Sequence, residues 1–189
     1  MLPVESFTIA DIDSLYHLLE QSFPADEFRD YGGQRALFAH PRYHPCGLRD
    51  ERGDVKALLT VWDFDTFVYI EHFAVSPAAR NSGIGSALLQ QVTAPMQKPV
   101  CLEVELPESD ITRRRIGFYR RNGFFLNDYP YIQPSLGVGR APQPLRIMTR
   151  GEPITQTEFE TMRDVIYREV YRVDTEASDG LLFLSCQKK

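Results

Sequence analysis

The stretch Arg80-Asn81-Ser82-Gly83-Ile84-Gly85-Ser86 holds the residue types that gather an anion. A β-branched and aromatic run enters it, and a helical apolar pattern leaves it. A helix N-terminus carries unpaired N–H donors and about half a positive charge. Gly83 and Gly85 have no Cβ to keep a ligand off those amides. Asn81 and Ser82 add small polar side chains, and Arg80 adds a fixed cation. The set suits a pyrophosphate. Each dipole contact contributes only about 0.3–1 kcal/mol, so several must act together. Two other readings stay open. One is a plain strand-to-helix turn whose glycines serve close packing. The other is a dinucleotide site, for which Glu103 falls about 20 residues on, where a ribose-binding acid belongs. Against it, Leu88 stands in place of a third Gly or Ala, and residues 76–82 separate the strand from the first glycine.

The elements that must position this turn follow from apolar spacing. "ESFTIA" reads as a short strand, followed by a helix with Leu15, Leu18 and Leu19 on one face, capped by Asp11 or Asp13 and ended by Pro24. A weaker helical stretch over 25–40 is expected to break near Gly32-Gly33. "VKALLTVWDF" and "TFVYIEHFAV" are joined around Asp63 to Thr66 and predict a hairpin. Ile84, Leu88 and Val92 predict a helix from Gly83 to about Ala94. "VCLEVEL" is a strand, and Asp110 caps a helix to about Arg121, with Gly123 at its C′ position. "FFLND" and "PLRIMT" are extended. From about Gly151 the chain reads as an addition, with Thr157 and Glu160 as a capping box and Phe159, Met162, Ile166 and Val170 as an apolar stripe. The expected organisation is one domain over 1–150 and a helical extension over 151–189 that packs on it. A dimerisation helix is the alternative, so monomer and homodimer both stay open.

The 189 residues, 43% hydrophobic, suffice for one sizeable core and predict a mixed α/β class. A net charge of −5 gives no reason to expect nucleic acid. Cys46, Cys101 and Cys186 lie far apart, without metal-ligand spacing and in an odd number, so neither a metal nor a disulfide framework is expected. "MLPVESFTIADIDS" has no basic region followed by an apolar run, and no stretch is long enough to span a bilayer. The expectation is a cytoplasmic protein without a membrane partner.

Three motifs in order carry a resemblance. "EHFAVSPAARNSGIGSALL", "CLEVELP" and "RRIGFYRRNGFF" resemble the GNAT superfamily of acyl-CoA-dependent N-acetyltransferases over about Glu5 to Thr149. Arg80-x-x-Gly83-x-Gly85 matches that family's pyrophosphate loop, and "FYRRNGF" matches its later helix-to-strand element. Thr112 stands where family members often carry an Asn that contacts the pantetheine arm, and Arg115 where Ala is common. The resemblance implies a central, twisted, mostly antiparallel sheet with helices on both faces. It also implies one splayed parallel strand pair, with backbone groups along Phe73, Ala74 and Val75 pairing with the pantetheine arm.

The implied reaction moves an acetyl group from acetyl-CoA, a cosubstrate, to the amine of a small molecule or peptide. An amine of pKa about 10.4 costs about 4–5 kcal/mol to deprotonate at pH 7. A base is therefore useful. Glu71 is the candidate, since a glutamate partly desolvated at a pocket wall can have a raised pKa. Strand alternation puts Glu71, Phe73 and Val75 on one face and His72 and Ala74 on the other. Glu103 and Glu105 are rival bases, and His72 is expected to be packed under a helix. Tyr119 occupies the position of the family's tyrosine acid and would protonate the leaving thiolate. One or two of Arg113, Arg114, Arg115, Arg120 and Arg121 are expected to face a 3′-phosphate, the others forming a solvated face. Trp62 and neighbouring aromatics, with Glu103 and Glu105, would suit a cationic acceptor. The alternative function is an acyl-CoA-binding module without turnover.

Overall fold

The computed structural model describes residues 2–173. It divides into two compact units at Val100/Cys101. In the first unit the strands are β1 (Glu5–Ser6), β2 (Tyr43–Arg49), β3 (Val55–Asp63) and β4 (Val68–Val75), each antiparallel to the next. The predicted hairpin is β3–β4. Its β3 strand is buried continuously from Ala57 to Trp62, as expected of a strand covered on both faces. On one face Leu58 and Ala74 join Leu15, Leu18 and Leu19 of α1 (Ile12–Ser22), together with Phe7 and Phe28, in a single core cluster. On the other face Val61 and Val68 line a cavity of about 540 Å³ with Gln91 and Val92 of α3 (Ile84–Thr93).

Several expectations need revision. Asp11 stands at the N-cap of α1, but its carboxylate accepts from Thr8 N (2.8 Å) and Arg49 Nη2 (2.5 Å) rather than capping that helix. Helix α2 (Tyr31–Ala36) runs through Gly32 and Gly33 instead of breaking there. Asp30 caps it by accepting from Gly33 N at 2.7 Å, and the buried Gln34 ties it down by donating to Tyr43 Oη at 2.8 Å. Strand β2 was not foreseen, because Pro45 and Gly47 interrupt any strand pattern. Gly47 is there for close approach: a Cβ would lie 2.1 Å from the Ala57 carbonyl oxygen and 2.7 Å from the Phe7 ring.

The second unit opens with β5 (Val100–Glu105), antiparallel to β8 (Gln143–Arg150). The far edge of β8 is shared by β6 (Phe124–Leu126) and β7 (Tyr131–Gln133), both antiparallel to it. Helix α4 (Asp110–Arg121) is capped by Ser109, which accepts from Thr112 N; Asp110 is the first helical residue rather than the cap. The buried Asn127 braces this unit. It donates to Ile147 O and Thr149 Oγ1, and accepts from Ile154 N. Helix α5 (Gln156–Ile166) starts at the Thr155/Glu158 capping box, two residues before the expected Thr157/Glu160 pair. Its predicted stripe of Phe159, Met162, Ile166 and Val170 is buried, with Phe159 stacked on Tyr129 at 4.9 Å. The helix continues into a π-turn (Tyr167–Tyr171), closed by Arg172 at φ 57° and a bond from Val173 N to Tyr167 O. Cys186 and residues 174–189 of the expected extension lie outside the described residues. Among the described residues no helix is long and apolar enough to cross a membrane, and no group of His, Cys, Asp and Glu is arranged for a metal.

Candidate active site

The residues from Arg80 to Ser86 form the turn between β4 and α3. A short 3-10 turn (Pro77–Ala79) follows β4, and Ser82 Oγ closes it by donating to Ala79 O at 2.6 Å. Asn81 then adopts φ 63° and Gly83, the N-cap of α3, φ 81°. Left-handed backbone costs an ordinary L-residue about 1–2 kcal/mol, least for Asn, so the turn stores strain at a non-glycine position. The first intrahelical bond at this end runs from Ala87 N to Gly83 O. The amides of Ile84 and Gly85 lie ahead of that bond, in the first turn, where a helix offers its N–H groups no carbonyl of its own. A Cβ built on Gly83 meets nothing within 4 Å, so the space before these amides is open on that side. Arg80 is exposed, and its Nε donates to Val75 O at 3.3 Å.

Glu71 sits on a β-bulge. Thr60 pairs with His72 and Val61 with Ile70, so Glu71 is an extra residue in β4. The bulge overturns the expected alternation: the Glu71 carboxylate lies 3.9 Å from the His72 imidazole, and both turn toward Thr60 and Trp62. Glu71 is only 3% exposed, forms an ion pair with Arg29, and accepts from Trp62 Nε1 at 2.8 Å. Burial works against its charge, but the Arg29 guanidinium and these hydrogen bonds outweigh it and hold the carboxyl below the usual glutamate range. This reverses the expected rise. His72 is equally buried. Its Nε2 meets the obligate acceptor Glu27 O, which makes Nε2 the protonated nitrogen. Nδ1 faces Thr60 Oγ1 at 3.3 Å. Burial drives the imidazole below its ordinary pKa, so it is a neutral, satisfied core histidine, as expected. Trp62, Phe64, Phe67 and Tyr69 are all buried, so these aromatics form core rather than the wall of an open site.

In the second unit Tyr119 is 6% exposed, with its ring edge-on to Phe118 and Phe124. Burial pushes its hydroxyl up to about 12 against the pull of Arg115, so it keeps its proton at neutral pH. Thr112 Oγ1 is engaged in the α4 cap, accepting from Ser109 N and donating to Ser109 O. Glu105 forms an ion pair with Arg115, and Arg113 with Asp110. Glu103 takes hydrogen bonds from two tyrosines, Tyr131 and, at 2.8 Å, Tyr171. Tyr171 was missed, because it lies outside the apolar stripe that located α5.

The acetyltransferase (GNAT) family model matches residues 12–124, from α1 to the first residue of β6. The chain belongs to the GNAT family of acetyltransferases. Among curated proteins it is 31% identical over 113 residues to "Putative acetyltransferase YjbC" of Bacillus subtilis (strain 168), covering 58% of this chain. The match spans about half of that relative, 55% of its length. Among solved structures it resembles a GNAT-family protein of Bacteroides thetaiotaomicron, with TM-score 0.81 and 32% identity over 92% of this chain and all of the other. A Sinorhizobium meliloti phosphinothricin acetyltransferase, solved in complex with AcCoA, shares the fold at TM-score 0.58 and 21% identity, over 80% of this chain and 90% of the other. The mixed α/β, mostly antiparallel GNAT fold is thus the one expected from the three motifs. The GNAT match takes in the bulge, the glycine turn and Tyr119, while β7, β8 and α5 lie beyond it.

Proposed function

We propose that this protein transfers an acetyl group directly from acetyl-CoA to a primary amine of a small molecule or peptide. The observation that carries the reading is the turn at the head of α3. Two left-handed positions on either side of Ser82, Asn81 and Gly83, there present the head of α3 beside Arg80. That arrangement fits a pyrophosphate. Residues 80–86 would hold the diphosphate and the Phe73–Val75 backbone the pantetheine arm, with Thr112 contributing at the head of α4. Acetyl-CoA supplies the activated acyl group.

The chain's own residues manage protons. An ammonium acceptor must lose one proton before attack and a second as the amide forms. Glu71, ionised at neutral pH, takes the first through water. Tyr119 gives its proton to the departing sulfur and regains one from the nitrogen. General acid–base help of this kind contributes about 10²–10⁴ in rate. A second reading, an acyl-CoA-binding module without turnover, draws support from one observation: the carboxylate nominated as base is already held by Arg29.

Two experiments separate them. Calorimetry should show acetyl-CoA and free CoA binding to the wild type and lost in Gly83→Asp, which adds a Cβ and a negative charge to the turn. A folded Gly83→Asp protein with unchanged affinity would remove the assignment of the turn. Free-CoA release over an amine panel, lowered at least tenfold by Tyr119→Phe, supports the enzyme. Tight binding with no release leaves the binding module.

A further inference from the structure

The cavity of about 540 Å³ in the first unit lies at the C-terminal end of α3, away from the glycine turn. Its floor is the sheet, where Cys46 pairs with Ser6 of β1 and His44 with Val61 of β3. Residues paired directly across a ladder share a face, so these side chains belong to one surface. Gln91 and Val92 close the cavity from α3. Its lining includes one acid and one ammonium, Asp63 and Lys98, and these form an ion pair with each other at 2.6 Å. Burial pushes the Cys46 thiol up to about 11, so it stays neutral. Gln91 is less settled. Its Nε2 is buried and meets no hydrogen-bond acceptor among the described residues. A buried donor without an acceptor is costly, and such groups are rare in folded proteins.

A cavity of this size falls in the range that holds small organic ligands. Apolar walls with one orphaned donor call for an apolar body with one acceptor. A charged ligand would have to leave water, and the charges in the lining are already paired. We propose that this cavity binds a neutral, largely apolar carbonyl compound, whose oxygen accepts from Gln91 Nε2 while its aliphatic body covers Val61 and Val92. From Ile84 to Gln91 is about 10 Å along the helix axis at about 1.5 Å per residue, so the site is distinct from the turn at the head of α3. The proposal therefore stands apart from the acetyl-transfer reading.

The test uses the full chain and 2-octanone as the probe, with octanoate and octylammonium as charged counterparts. Calorimetry measures affinity, and alkylation of Cys46 by iodoacetamide, followed by peptide mass spectrometry, reports the location. The ketone is expected to bind and to slow alkylation of Cys46, and both ions to bind about tenfold more weakly or worse. Gln91→Met, which keeps the side chain's length without the donor, should weaken the ketone about threefold or more. Val92→Trp, which fills the cavity, should abolish binding. Free CoA should not displace the ketone. A wild type that fails to bind it or to protect Cys46, equal affinity for either ion, or an unchanged affinity in Gln91→Met overturns the proposal. Displacement by CoA overturns it too, by giving the cavity to the cofactor. So does a ketone affinity that falls with rising protein concentration while sedimentation shows a dimer, which would give the cavity to a second copy. Should Val92→Trp fail to fold, Gln91→Met decides alone.

Discussion

Arg29 and Glu71 carry opposite charges where little water reaches, and they act as one unit. Arg29→Met strands a buried carboxylate and is expected to cost about 3–5 kcal/mol of stability. The double change Arg29→Met with Glu71→Gln should recover most of that loss, because replacing both buried charges is often close to neutral. Urea unfolding followed by the fluorescence of Trp62, the sole tryptophan and itself a donor to Glu71, measures both. Equal losses in the single and double variants would mean that the pair does not act as a unit. The same cluster sets the acid limit. His72 is held below its ordinary value of 6.5, so below that pH the unfolded chain takes up a proton that the folded chain refuses. Stability should therefore start to fall as pH drops through about 6.5. Glu71, held below 4.5, adds a second loss once pH enters the carboxylate range. His72→Gln should remove the first stage and leave the second, as read from urea midpoints between about pH 7.5 and 4. An unchanged first stage would assign it to other groups.

At the scale of elements, α5 offers two overlapping Thr-x-x-Glu patterns, and the fold uses the first. Thr155→Ala should cost about 1 kcal/mol in denaturant unfolding, while Thr157→Ala should stay within error. The reverse order would restore the cap to Thr157. Such near-ties explain much of what the sequence did and did not make legible. Helices α1, α3, α4 and α5 and strands β3, β4 and β5 announce themselves, because each carries several apolar residues at its own period. Strand β2 is hidden by Pro45 and Gly47. Strand β7 is only three residues long and exists by virtue of its pairing with β8. Helix α2 survives two glycines because Asp30 and Gln34 hold it at both ends of a hydrogen-bond chain. The glycine turn, proposed above as an anion cradle, was readable as a strand-to-helix turn from residue types alone. The bulge was not, since one added residue leaves no trace in a strand that is apolar on both faces. The ion pair of Glu71 was equally invisible, because Arg29 lies 42 residues away along the chain.

For the whole molecule, the sequence draws its line at 150/151, but α5 and the π-turn bury Phe159, Met162, Ile166, Tyr167, Val170 and Tyr171. Phe159 covers Tyr129, and Tyr131 meets both Phe159 and Tyr167. Truncation after Arg150 should therefore expose the tyrosines of the second unit rather than shed an appendage. The expected signs are binding of a hydrophobic dye and loss of a cooperative thermal transition, read by fluorescence and circular dichroism. A truncated chain that melts cooperatively near the full-length Tm would make the extension dispensable for folding. The GNAT match ends at residue 124, short of the part of the chain that carries Tyr131 and Tyr171.

The bulge in β4 also means that the hairpin carries a spare position. Ile70 and His72 already face consecutive partners, Val61 and Thr60, on β3. Excising Glu71 would close the ladder without sliding either flank, whereas excising Ala74 would throw every later pairing out of step. A chain lacking residue 71 and carrying Arg29→Met should fold with an uninterrupted hairpin. A strand interior seldom tolerates such a deletion.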